Sequence, residues 1–156
     1  MKLYLETTVF NYFFDVDREG HHDTVQLFEQ IRQGKFQAYT SEYVTVELQA
    51  ATEPKRSKML SLIKEYGVSV LGFEDETDRI ADIYVEQGII PERFRFDSTH
   101  IACASVHGLD YVISYNFSHI NRAKTKLLTS RVNHEQGYGG VVICTAKEAL
   151  VDVDSI

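Results

Sequence analysis

Met1-Lys2-Leu3-Tyr4-Leu5-Glu6-Thr7-Thr8-Val9-Phe10 decides how the rest of the chain is read. Leu3, Tyr4 and Leu5 form an apolar run without turn residues. This pattern predicts a strand buried on both faces, hence a central strand of a covered sheet. The run ends on a carboxylate, Glu6, followed by the hydroxyls of Thr7 and Thr8. In open α/β sheets ligand sites lie just past the carboxyl ends of strands, so an acid there points to chemistry.

Outward from this stretch, apolar runs and amphipathic segments alternate. Further strands are expected at 36–40, 68–71, 111–114 and 141–144. Helices are expected at 9–14, 22–32, 42–52, 55–66, 74–87, from 96 or 97 to 106, and at 121–132. In the second helix Val25, Leu27, Phe28 and Ile31 are expected to face inward. Strand–helix alternation predicts an α/β fold, a small parallel sheet with helices on both faces. The 156 residues are expected to form one domain, residues 1–156, with no repeat, linker or low-complexity segment.

Composition narrows the function. Hydrophobic residues make up 44% and charged residues 25% of the chain, as in ordinary globular proteins. No apolar run approaches the roughly 20 residues of a membrane span, and there is no secretory signal, so a cytoplasmic location is expected. Cys103 and Cys144 sit in apolar surroundings and read as reduced core residues. The net charge of −7 argues against a general nucleic-acid binder with a basic surface. One segment is different: Tyr111 to His134 contains no Asp or Glu but holds Arg122, Lys124, Lys126 and Arg131. Such a segment can steer a polyanion to one edge or be a solvated helix face. No P-loop, Gly-x-Ser-x-Gly elbow or paired-cysteine zinc spacing is present. The first strand lacks the Asp-x-Asp of a haloacid-dehalogenase-like phosphatase, and no receiver-domain acid pattern is found.

Two more acids stand out. Tyr43, Val44, Glu47, Ala50 and Ala51 share a helix face, so Glu47 lies within an apolar stripe. A buried carboxylate there needs a cation, a base or a proton, the plain structural reading being a salt bridge to an Arg or Lys. Asp97 opens the almost entirely apolar stretch Ile101 to Val106, either as a helix cap or as a ligand. Asn116 follows the strand 111–114 as Glu6 follows the first, and is otherwise a turn residue. Three carboxylates from three segments suggest a convergent, oxygen-rich site suited to Mg²⁺ or Mn²⁺. His100, one turn after Asp97, and His119 are expected in core or supporting roles. His21, His22 and His134 read as loop residues.

At these residues the chain resembles the PIN-domain nucleases, especially the VapC-type toxins. That family carries an acid after the first strand, a Glu in a helix after the second, an Asp opening a buried Ala-rich helix, and a fourth residue after the next strand. Glu6, Glu47, Asp97 and Asn116 fill those positions. Asp97-Ser98-Thr99-His100-Ile101-Ala102 is similar to the third motif, and Tyr115-Asn116-Phe117-Ser118-His119-Ile120 to a Trp-Asn-Phe-Lys-His-Ile form. The match runs in order along nearly the whole chain. Glu6 stands where most members have Asp, and neutral Asn116 where many have Asp.

The resemblance implies a Mg²⁺- or Mn²⁺-dependent endoribonuclease, the toxin of a toxin–antitoxin pair, acting as a homodimer. An antitoxin protein and an RNA substrate would be its partners. Glu6, Glu47 and Asp97 would hold the metal, Asn116 would orient a water or complete the shell, and Thr8 would assist. Arg122, Lys124 and Lys126 would bind RNA. The alternatives are a catalytically weak PIN-like module that binds RNA or protein, and a metal-dependent phosphatase of small phosphoesters.

Overall fold

The computed structural model describes residues 1–154. It contains a five-stranded, all-parallel sheet in the order β3-β2-β1-β4-β5. β1 (Lys2–Leu5) is the middle strand, and Leu3, Tyr4 and Leu5 have no exposed surface. Because successive strand side chains point to opposite faces, this burial means that both faces of the sheet are covered. β1 pairs with β2 (Gln37–Ser41) on one side, with Tyr4 opposite Tyr39, and with β4 (Tyr111–Ile113) on the other, with Tyr4 opposite Val112. β3 (Ser69–Leu71) and β5 (Val142–Cys144) are the edges.

Helix α1 (Thr7–Phe14) follows β1 directly, and α2 (His21–Arg32) leads to β2. α2 buries Thr24, Leu27, Phe28 and Ile31. Val25, expected inward, is 37% exposed, because Thr24 takes the inner position and bonds to the Gly20 carbonyl at 2.7 Å. Ser41 ends β2 and caps α3 (Glu42–Gln49), its hydroxyl accepting from the Val44 N–H at 3.3 Å. α3 stops sooner than its spacing suggests, so Ala50 falls outside it and is exposed. α4 (Lys55–Glu65) leads to β3, and α5 (Asp75–Glu86) packs along α6 (Arg95–Val106).

The segment before α6 forms a short 3-10 turn, Glu92–Phe94, so α6 begins at Arg95 with Phe94 as its cap residue. Asp97 therefore lies inside the first turn and is not the cap. Ser98 to Ser105 are all buried, as expected for a helix without a polar face. α7 (Ala123–Glu135) carries His134 in its last turn, and His21 and His22 open α2, so these three histidines are helical. A final helix, α8 (Ala146–Asp154), follows β5 and packs on α2. It was not expected, although Thr145-Ala146-Lys147-Glu148 carries its signal. The Glu148 carboxylate accepts from the Thr145 N–H at 3.2 Å, and the Thr145 hydroxyl accepts from the Glu148 N–H at 3.4 Å, a reciprocal capping pair. No described helix is long and apolar enough to cross a membrane.

Candidate active site

Glu6 sits where β1 passes into α1. It is the cap residue of α1, its Oε2 accepting from the Thr8 N–H at 3.3 Å. Its Oε1 accepts from two hydroxyls, Thr8 Oγ1 and Ser114 Oγ, each at 2.6 Å. The side chain is almost fully buried. Burial raises its pKa; the nearby His100 and the hydroxyls of Ser114 and Thr8 only partly offset that, and Glu47 adds to it. Thr8 is also engaged from the other side, since its hydroxyl accepts from the Tyr115 N–H at 2.8 Å. Thr8 thus fastens Glu6 to the chain leaving β4.

Glu47 projects from α3 and is partly exposed. Its Oε1 accepts from Thr7 Oγ1 at 2.8 Å and lies 2.6 Å from His100 Nε2. The partner of this acid is therefore a histidine of α6, not an Arg or Lys. His100 has no exposed surface, and its Nδ1 lies 2.8 Å from the Tyr4 hydroxyl, which in turn bonds Ser41 Oγ at 2.6 Å. Burial disfavours a charged imidazole, yet Glu47 first, then Glu6 and Asp97, raise its pKa above the ordinary value. Burial also acts to raise the Glu47 pKa, but the bond and charge of His100, with Thr7, outweigh it and hold this carboxyl below its usual range.

Asp97 is half-buried near the start of α6. Burial raises its pKa, opposed by His100 and by a hydrogen bond from the Asn116 amide. The other end of that amide, Asn116 Oδ1, accepts from the His119 N–H at 3.0 Å, and the Asn116 carbonyl accepts from the Ile120 and Asn121 N–H groups. Asn116 is thus a turn residue that also holds Asp97. Its carbonyl oxygen is occupied within the loop. His119 stacks on Phe94, with ring centroids 4.1 Å apart.

The fold therefore brings Glu6, Glu47, Asp97, Asn116 and Thr8 to the carboxyl ends of the two central strands, where Glu47 bonds the buried His100 imidazole and Glu6 and Asp97 act on it by charge. Thr7 and Ser114 also belong to the arrangement and were missed. Thr7 is half of the hydroxyl pair that marked the first stretch, while nothing local marks Ser114. The basic residues belong to the start of α7, a different segment from those that carry the carboxylates. Arg122 is exposed at the cap of α7 and bonds the Ser118 carbonyl at 3.2 Å. Lys124 is exposed and Lys126 half-exposed on the same helix.

Whether these residues suit a divalent cation can be judged from their chemistry. Glu6, Glu47 and Asp97 are hard oxygen donors, and the one imidazole that they act on cannot balance three carboxylates even when protonated. That deficit and donor set fit Mg²⁺ or Mn²⁺. As the side chains stand, no three His, Cys, Asp or Glu among the described residues are grouped to hold one ion. The fit thus lies in donor type and charge.

A sequence model of the PIN domain matches residues 3–124. Among solved structures, the chain is similar to Mycobacterium tuberculosis VapC20, a sarcin-ricin loop cleaving toxin, with a TM-score of 0.59 and 14% identity over 78% of this chain and 97% of that one. It is also similar to VapBC2 from Rickettsia felis bound to a DNA fragment from their promoter, with a TM-score of 0.57 and 13% identity over 92% of this chain and 97% of that one. At these identities the likeness is one of fold. No curated protein matches by sequence.

Proposed function

Because the chain belongs to the PIN domain family, we propose that it is a Mg²⁺- or Mn²⁺-dependent endoribonuclease, the toxin of a toxin–antitoxin pair. The observation that carries this reading is the convergence of Glu6, Glu47 and Asp97 from three separate segments on the buried imidazole of His100. The fold likeness to a sarcin-ricin loop cleaving toxin supports the substrate class, and the likeness to VapBC2 supports an antitoxin partner; the homodimer rests on the family resemblance alone.

Glu6, Glu47 and Asp97 would hold the metal, which would supply the charge that binds a phosphate oxygen and lowers the pKa of the attacking water. The chain's own contribution is to fix these acids. Thr8 and Ser114 aim Glu6 by holding one of its two oxygens, which leaves the other less constrained. Thr7 and His100 likewise bind Glu47 through Oε1 alone. Asn116 orients Asp97 by its amide, a positioning role in place of a fourth ligand. Arg122, Lys124 and Lys126 would contact the RNA backbone.

The test is cleavage of single-stranded RNA by the purified protein. Cleavage is expected with Mg²⁺ or Mn²⁺, is expected to stop in excess chelator, and is expected to be lost in Glu6→Gln and Asp97→Asn. Undiminished cleavage in chelator would overturn the metal mechanism. The binding-module reading is favoured by the engaged carbonyl of Asn116, which leaves three acids where many members have four. RNA binding without cleavage under any divalent cation would establish it.

A further inference from the structure

Ser114, Tyr115, Asn116 and Phe117 divide their work. Ser114 donates to Glu6 and Asn116 to Asp97. Tyr115 and Phe117 instead line a cavity of about 440 Å³ past the carboxyl ends of β4 and β5, whose wall includes none of the three acids. This volume lies within the range of small-ligand sites. The wall is rigid. Tyr12 and Tyr115 stack with centroids 3.9 Å apart and planes at 2°. The Tyr115 hydroxyl is held by Thr24 at 2.7 Å and by the Gly20 carbonyl at 3.3 Å. Gly20 has φ +100°, and a Cβ there would lie 3.0 Å from the Tyr115 ring.

Phe117, by contrast, presents its ring to solvent, 56% exposed. The remaining lining is Thr145 and four charged side chains, Lys147 and Arg18 on one hand, Glu19 and Asp23 on the other. Arg18 is already occupied, 5.1 Å over the Tyr12 ring and 3.7 Å from Asp15. A free aromatic face, a carboxylate and a lysine in one cavity are the complement of a base, its hydrogen-bond donors and its phosphate.

We propose that this cavity is a subsite for an unpaired guanine of the RNA substrate, joined to the acids through the shared segment Ser114 to Phe117, an assignment that rests on the ribonuclease reading above. The base stacks on Phe117, its N1–H and N2–H₂ donors face the Asp23 carboxylate, and its phosphate lies toward Lys147. Adenine and uracil lack that donor pair, and cytosine offers only its amino group. An acid that would repel the RNA backbone is thus used to select a base.

The experiment is titration of the full-length protein with GMP, AMP, CMP and UMP in excess chelator, followed by tyrosine fluorescence. GMP is expected to bind saturably and about tenfold tighter than the other three, the discrimination of one bidentate pair. Phe117→Ala is expected to weaken GMP binding about fivefold or more, the worth of one stacking contact. Asp23→Asn is expected to remove the preference for GMP. Phe117 is exposed and Asp23 lies at the surface end of α2, so both variants should fold, which a thermal melt checks. Absence of saturable binding, equal binding of all four nucleotides, or unchanged binding by both variants would overturn the subsite. Metal-dependent RNA cleavage combined with any of those results leaves the ribonuclease reading standing and this one refuted. Guanine-selective binding without RNA cleavage refutes the ribonuclease reading, and with it the assignment to a substrate nucleotide.

Discussion

His100 Nε2 lies 2.6 Å from Glu47 Oε1, and the imidazole has no exposed surface. The acid cluster therefore encloses a group whose protonation it favours. This changes what loss of Glu47 does to the metal-free protein. Simple repulsion among carboxylates would make Glu47→Gln neutral or stabilising, whereas loss of the hydrogen-bond partner of a buried imidazole is destabilising.

The same pair sets a pH dependence. The folded-state pKa of His100 is raised, so its contribution to stability is fully present below the unfolded value, about 6.5, and is lost as pH rises through the folded value. Glu6 and Asp97, whose pKa values are also raised, act in the same direction. In chelator, the melting temperature is expected to fall from pH 6 to pH 9, and Glu47→Gln is expected to flatten that slope while lowering the value at pH 6. Mn²⁺ at pH 8 is expected to restore the loss in the wild type. Melts across this pH range, with and without metal, are the measurement. A flat wild-type profile would mean that His100 stays neutral.

Ser114→Ala removes one of two hydroxyl donors from a buried carboxylate oxygen. The expected cost is about 1–3 kcal/mol in denaturant unfolding at neutral pH. With one donor gone, the Glu6 pKa rises further. The acidic limb of the cleavage pH profile should therefore move to higher pH, because the carboxylate is the form that binds metal. An unshifted limb would separate Glu6 from the metal.

At Asn116 the structure sharpens the outcome of adding a fourth acid. Asn116→Asp keeps an acceptor for the His119 N–H but replaces the donor to Asp97 with a like charge. In chelator the variant should melt lower than the wild type. Calorimetric titration with Mn²⁺ should show tighter binding by about 1–2 kcal/mol, taking an effective dielectric near 20 and discounting for repulsion. The opposite signs of the two effects make them separable. No change in either places Asn116 outside the site.

Replacing two of Arg122, Lys124 and Lys126 by Ala should weaken RNA binding and reduce its salt slope by about 0.7 for each phosphate no longer neutralised. Single-turnover cleavage at saturating RNA should stay nearly constant, since these residues belong to α7 and its cap and not to the segments that carry the acids. Filter binding across a salt series is the check, and an unaltered slope would make this a solvated face.

Much of the architecture was legible because burial writes itself into periodicity. The run Leu3 to Leu5 announced a central strand, and Glu47 stood out by interrupting an apolar stripe. The identity of its partner was not legible. His100 is 53 residues away, and a stripe reveals that a carboxylate needs compensation without naming what supplies it. His100 did share a helix face with Asp97, which was the one local hint. Asp97 read as a possible cap because the 3-10 turn at Glu92–Phe94 has no periodic signature, so α6 seemed to start later than it does. Ser114 could not be found at all, since its role depends on the pairing of Leu5 with Ile113. α8 was written in Thr145 and Glu148, but as a capping pair and not as a long periodic segment.

The central position of β1 also fixes when the site can exist during synthesis. β1 is the first strand made, yet its partner on one side is β4, more than 100 residues later, and Glu6 receives Ser114 from just beyond that strand. Such non-local pairing must wait for the intervening chain and is slow to form. A ribosome-bound chain that stops short of Tyr111 has made Glu6, Glu47 and Asp97 but cannot close the sheet around them. Until about two-thirds of the protein has emerged, one edge of β1 is open and the acids are not gathered. On the ribonuclease reading proposed above, the enzyme would in this way remain unassembled beside the translating ribosome until most of its own chain has been made.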